Sequence, residues 1–172
     1  SVEINAELKR LGSGAFYGCT ALSDLEGIEG VRVIGGECFR GCSALSAIGI
    51  PTGCTSVGSY AFAGTAIKSV SVPSSVVSLG EGAFASCRKL AYAELPSGIS
   101  KVSASLFSGC TALEAFFVKD DGSYGGASLT VEANAFSGCS ALRELVIYTR
   151  ADSLRIAKNA FSGCTGIKSV SL

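Results

Sequence analysis

The 172-residue sequence contains no histidine, no methionine and no tryptophan. Losing histidine removes the commonest general base and the commonest neutral metal ligand. A Ser-His-Asp triad is impossible, so the serines have no such base to activate them. Charge is sparse, at 16% of residues, and balanced, with 14 Lys+Arg against 14 Asp+Glu. No basic face is implied, and nucleic acid is not expected as a partner. Long apolar runs are missing as well. The chain is 48% hydrophobic, yet no stretch approaches the roughly 18 residues that a membrane-spanning helix needs. Without an initiating methionine, and with a start (Ser1-Val-Glu-Ile-Asn5) unlike a signal peptide, the chain is expected to be a segment of a longer protein.

What is present is repetition, which decides the fold before any local propensity does. Seven of the nine phenylalanines, Phe16, Phe39, Phe62, Phe84, Phe107, Phe136 and Phe161, are spaced by 23, 23, 22, 23, 29 and 25 residues. Six of them open a motif of the form Phe-x-Gly-Cys-x-x-Leu, as in Phe107-Ser-Gly-Cys-Thr-Ala-Leu113, with Ser86 in place of glycine in one and Ile167 in place of leucine in another. The copy at Phe62 is one residue short and carries Thr65 in place of cysteine.

Upstream of each anchor the same template returns. Val70-Ser-Val72 alternates as a half-buried strand does, and Pro73 ends it. Val76 and Leu79-Gly80 follow as a second short apolar element before Ala83-Phe84. The template also fits Ile48-Gly-Ile50-Pro51 and Ala93-Glu-Leu95-Pro96. It fits Leu25 to Phe39 loosely, because Gly27 stands where a strand residue belongs, so that rung should be weak. Insertions at 119–128 and 148–153 should form surface loops. A 23-residue unit cannot bury its apolar face alone, whereas stacked units share one continuous core. Residues 1–172 are therefore expected to form one domain of about seven repeats, with strands open to further stacking at both ends.

The unit Ile-Pro-x-x-(Val/Cys)-x-x-(Val/Ile)-Gly-x-x-Ala-Phe-x-Gly-Cys-x-x-Leu resembles the BspA-like, or Treponema pallidum-type, leucine-rich repeat. The resemblance implies a right-handed, β-rich leucine-rich-repeat solenoid with short parallel strands on its concave face. It also implies a non-catalytic adhesion module of a surface or secreted protein. The partner would be a protein of a host, of a cell surface or of a neighbouring subunit. A structural segment of a larger assembly is the alternative. No cofactor is implied.

The eight cysteines fit this frame as packing. Cys19, Cys42, Cys87, Cys110, Cys139 and Cys164 share one repeat position, Cys54 stands where other units have Val76 or Ile99, and Cys38 stands where others have alanine. Small apolar side chains belong there, and a free thiol is one. Disulfides between adjacent rungs are the competing reading, but parallel thiols point the same way, and Thr65 breaks the pairing. Asp120-Asp-Gly-Ser-Tyr-Gly-Gly126 resembles a calcium loop only faintly, lacks a later acidic ligand, and reads better as a polar turn. Function should then lie in what varies. The outward strand positions are Glu3, Gly49, Ser71, Glu94, Phe117, Val146 and Ser171. Phe117 and Val146 adjoin, with Tyr92 and Tyr148 near one edge and Lys119, Arg143 and Glu144 around them. That group is the candidate partner-binding patch, unless the 119–128 insertion folds over it.

Overall fold

A computed structural model of the chain describes residues 2–3, 7–119, 128–147 and 153–171. Within these, each coil makes three passes, and most passes bond to the next coil. The strands in chain order begin with β1 (Val2–Glu3), β2 (Arg10–Leu11), β3 (Leu25–Glu26), β4 (Val33–Ile34), β5 (Ser56–Val57), β6 (Ser69–Ser71) and β7 (Ser78–Leu79). They continue with β8 (Tyr92–Pro96), β9 (Lys101–Val102), β10 (Ala115–Lys119), β11 (Leu129–Val131), β12 (Glu144–Ile147), β13 (Leu154–Ile156) and β14 (Ser169–Ser171). All pairings are parallel, and no helix occurs among the described residues. The molecule is a solenoid of stacked coils, as the period predicts, and of the leucine-rich-repeat form that the resemblance implies.

The first pass builds the principal sheet, ordered β6-β8-β10-β12-β14. Its inward residues are the alternating apolar ones: Val70, Ala93, Leu95, Phe116, Val118, Leu145 and Ile147 are all buried. This sheet does not run the length of the coil stack. β3 pairs only with β1, and Ile48–Ile50 forms no strand, contrary to the template. Ile50 still packs inward. The physical reason is the residue between the two isoleucines. Gly49 offers no side chain to its neighbours and costs the most entropy to extend. With Gly27 one coil earlier, the first pass is weak over two consecutive coils, one more than expected.

The second pass forms two small sheets, β2-β4-β5-β7 and β9-β11-β13. The Val/Ile-Gly pair explains the first of these. A Cβ on Gly35, Gly58 or Gly80 would lie 2.3–2.5 Å from a backbone nitrogen of the preceding coil, so only glycine permits that approach. The series breaks where glycine gives way to Ser103, Glu132 and Ala157. Ser103 is buried and donates its hydroxyl to the Leu79 carbonyl. Glu132 accepts from the Ala104 amide at 2.9 Å. Side chains take over a spacing that bare backbone sets earlier.

The third pass carries the Phe motif. Two residues before every anchor phenylalanine the backbone is left-handed, with φ between 55° and 64° at Gly14, Glu37, Tyr60, Gly82, Ser105, Asn134 and Asn159. Two residues after it the backbone is left-handed again, from 58° at Ser86 to 78° at Gly138. The Asn-Ala-Phe ending of the last two coils is thus a conservative solution, since asparagine tolerates this region. Between these two bends three amides per coil donate to the next coil, as Phe39 does to Ala61 at 2.7 Å and Phe107 to Ala135 at 2.8 Å. The rings stack in one column, with centroids 5.1–5.7 Å apart from Phe16 to Phe161. Phe116 meets this column edge-on, 4.8 Å from Phe136, and ties the principal sheet to it.

Candidate interaction surface

The outer face of the principal sheet holds the predicted patch in register. Ser71, Glu94, Phe117, Val146 and Ser171 form one row across five strands, and Ser69, Tyr92, Ala115, Glu144 and Ser169 form the row beside it. Phe117 and Val146 are half-buried rather than fully exposed, because they cover one another and their neighbours. Tyr92 is exposed and tilts against Phe117, with centroids 5.4 Å apart. Lys119, Arg143 and Glu144 are exposed around them. Tyr148, the insertions at 120–127 and 148–152, and the loop once comparable to a calcium site lie outside the described residues.

Glu94 is the polar centre of this face. Its carboxylate accepts from the Tyr92 hydroxyl at 2.7 Å and the Ser71 hydroxyl at 3.2 Å, and Lys119 Nζ lies 3.5 Å away. These donors hold the Glu94 carboxyl below its ordinary range, the Tyr92 bond contributing most. The same bond pushes the Tyr92 phenol up. The face therefore presents an ionised, oriented acceptor beside an aromatic pair.

The cysteine column is part of the core. All eight thiols are free. Cys42, Cys87, Cys110, Cys139 and Cys164 each direct Sγ at the anchor-phenylalanine carbonyl of the preceding coil, at 3.0–3.1 Å. Thr65 stands at the same repeat position but donates within its own coil, to the Phe62 carbonyl at 2.9 Å, and contacts Cys87 Sγ at 3.3 Å. Burial pushes Cys38 up to about 12. Contact with Cys87, then burial, pushes Cys110 up, and contact with Cys164, then burial, does the same for Cys139. Such thiols are poor nucleophiles. One expectation fails at the margin: Cys19 is exposed and Cys164 only half-buried, because each lies on an end coil covered from one side.

A second cluster was not foreseen from the sequence. On the third pass, the Arg40 guanidinium lies 6.0 Å from the Tyr17 ring centre and 5.3 Å from that of Tyr60. Arg40 also pairs with Glu37 at 2.8 Å, and Tyr60 donates to Glu81 at 2.9 Å. The legible signal was substitution: where Tyr17 and Arg40 stand, the other copies have alanine or serine.

The sequence matches the family model described as the BspA type leucine rich repeat region, in six copies over residues 1–124 and 126–172. The chain belongs to this family. Three solved structures share the fold. A leucine rich repeat protein of T. pallidum is 25% identical, with a TM-score of 0.80 over 93% of this chain and 72% of its own. One from Eubacterium ventriosum is 24% identical, with a TM-score of 0.70 over 84% of this chain and 37% of its own. One from Bacteroides ovatus is 22% identical, with a TM-score of 0.64 over 96% of this chain. The BspA-type chain described here spans just under two thirds, 64%, of that Bacteroides protein. No curated protein matches the sequence. Proteins of this kind are generally non-enzymatic repeat proteins that mediate protein interactions, typically at a surface or secreted. Among the described residues no helix is long and apolar enough to cross a membrane.

Proposed function

We propose that this chain is a non-catalytic protein-binding module of a surface or secreted repeat protein, and that it binds through the outer face of the principal sheet. The observation that supports this reading is the register row: Phe117 and Val146 occupy positions that Ser71 and Ser171 fill at its two ends. Apolar side chains in a row that is otherwise polar contribute nothing to the core below. Beside Tyr92 and the oriented Glu94 carboxylate they form an aromatic anchor with a charged rim, the composition of an interface centre.

The test sets immobilised chain against a panel of extracellular-matrix proteins. Phe117→Ser with Val146→Ser restores the residue type already found in that row, so the fold should hold, as circular dichroism will check. Binding of at least one panel member, weakened about tenfold or more by this pair, is the expected result. Absence of any binding, or undiminished binding by the variant, refutes the proposal.

A further inference from the structure

The cysteine column has one rung per coil, and its rungs are not alike. The rung between Cys139 and Cys164 is the tightest. A Cβ on Gly163 would lie 3.4 Å from the Gly138 Cα, against 3.8 Å for the same approach of Gly41 to Gly18, Gly64 to Gly41 and Gly138 to Gly109. The ring column agrees. Phe136 and Phe161 stand 5.1 Å apart, and its other steps are 5.3–5.7 Å. Gly138 adjoins Cys139 in the chain and Phe136 stands three residues before it, so both measures bracket the same rung.

Neighbouring thiols need contact and access to react with one another. Cys139 and Cys164 touch side chain to side chain, and Cys164 is half-buried. Cys87 and Cys110 also touch, but both are buried, beside the widest ring step of 5.7 Å. Cys19 is exposed, but Cys42 bonds its backbone rather than its thiol. Among the described residues the Cys139–Cys164 pair alone meets both conditions.

Contact with Cys139 lowers the Cys164 thiol from its ordinary value, whereas Cys139 is raised. The accessible member therefore ionises first, and the thiolate is the attacking form. Cys139 stands behind it, where a resolving thiol belongs. Both sulfurs donate to backbone carbonyls, Cys164 to Phe136 at 3.0 Å and Cys139 to Phe107 at 3.1 Å. S–H is a weak donor, so turning one side chain toward the other gives up little. Adjacent coils, about 4.8 Å apart, place the two Cα atoms within the separation that a disulfide bridges.

We propose that Cys139 and Cys164 form a redox-active dithiol whose co-reactant is a low-molecular-weight disulfide. The Cys164 thiolate attacks one sulfur of that molecule, its S–S bond breaks, and one small thiolate leaves with the electron pair. Cys139 then attacks Cys164 Sγ and expels the second small thiolate. The two departing thiolates take up the protons that Cys164 and Cys139 release. Two protein thiols are oxidised, one small disulfide is reduced to two thiols, and the two coils that carry the pair are cross-linked. The site lies in the core column and does not rest on the principal-sheet reading, so either can fail without the other.

The test incubates the full chain with oxidised glutathione near neutral pH, blocks remaining thiols with N-ethylmaleimide in denaturant, and maps the tryptic peptides by mass spectrometry. Cleavage leaves Cys139 as the one cysteine of residues 120–143 and Cys164 as the one cysteine of residues 159–168. A hydroxyl already occupies this repeat position at Thr65, so Cys139→Ser and Cys164→Ser should keep the fold, as circular dichroism will check. The expected result is 120–143 joined to 159–168 by a disulfide, with Cys38, Cys42, Cys54, Cys87 and Cys110 alkylated and Cys19 carrying glutathione without a cross-link. Cys139→Ser should trap glutathione on Cys164. Cys164→Ser should slow oxidation of Cys139 by at least about tenfold. Absence of the cross-link in the parent chain, a disulfide between any other pair in equal yield, or a Cys139→Ser variant whose Cys164 stays unmodified would each overturn the proposal.

Discussion

The first three coils and the last four solve the same packing problem by different means. In the later coils, strands of up to five residues carry the load: β8, β10 and β12 align in one sheet, with Phe116 wedged against the ring column. In the earlier coils the principal strands are two residues long or absent, and adhesion between coils moves to the second pass. There Gly35, Gly58 and Gly80 let backbone approach backbone directly. The phenylalanine column and the third-pass amides are common to both halves. Coil-to-coil bonding is therefore redundant across the three passes, and one pass can weaken while the stack persists.

The largest expected effect tests what the halves share. Phe107→Ala removes a fully buried ring from the middle of the column and should cost about 3–5 kcal/mol in urea unfolding. Phe16→Ala, on a half-buried terminal ring, should cost roughly half as much. Comparable losses would mean that the column does not bind the halves together.

The next contrast probes the early coils alone. Gly80→Ala would place Cβ 2.3 Å from the Ser59 nitrogen, whereas Gly12→Ala meets nothing within 4 Å. The first should destabilise by about 3 kcal/mol, the second by no more than about 0.5 kcal/mol. A midpoint shift for Gly12→Ala as large as that for Gly80→Ala would discredit the close-approach account.

A gain is expected from repairing the gap. Gly49 has open space around its Cβ position and no left-handed backbone. Gly49→Thr should extend residues 48–50, add about 0.5–1 kcal/mol, and slow amide exchange there. In the parent chain, amides at 46–50 should exchange much faster than those of β8 and β10. Protection as strong as that of β10 would show that the gap is bonded after all.

The smallest effect is electrostatic. The folded Glu94 carboxyl lies below its ordinary value. The stability it contributes is therefore full above about pH 4.3, the unfolded value, and is lost as pH falls through the folded one. Glu94→Gln should lower the melting temperature slightly near neutrality and leave it unchanged near pH 2. An equal decrement at both pH values would assign the effect to packing.

Most of the frame was legible in the sequence because the period is carried by large residues that have no other reason to recur. The spacing of Phe16, Phe39, Phe62 and Phe84 gave the coil, and alternation at Val70, Ala93 and Phe116 gave the inward face. The missing strand at 48–50 was hidden because the isoleucines that define the pattern are present and only the residue between them fails. The left-handed bends were hidden at Glu37, Tyr60 and Ser105, whose side chains do not favour that conformation and are held there by the coil. The sheet-face residues emerged from register. The third-pass cluster did not, because its residues stand in turns that were read only for what they repeat.

The amides at each anchor phenylalanine, and two residues to either side of it, donate one way. From Gly14 to Gly36, Phe62 to Ala83 and Phe136 to Ala160, each N–H points toward the following coil. The peptide dipoles of this side consequently add along the axis, as they do in an α-helix, although no helix is present. The polarity is set by coil order: partial positive charge accumulates toward the C-terminal coils and partial negative toward the N-terminal ones, the reverse of a helix read along its chain. On the second pass the bonds from Gly35 to Leu11, Gly58 to Ile34 and Gly80 to Val57 run the other way, so two sides of the same coil carry opposed dipoles along one axis.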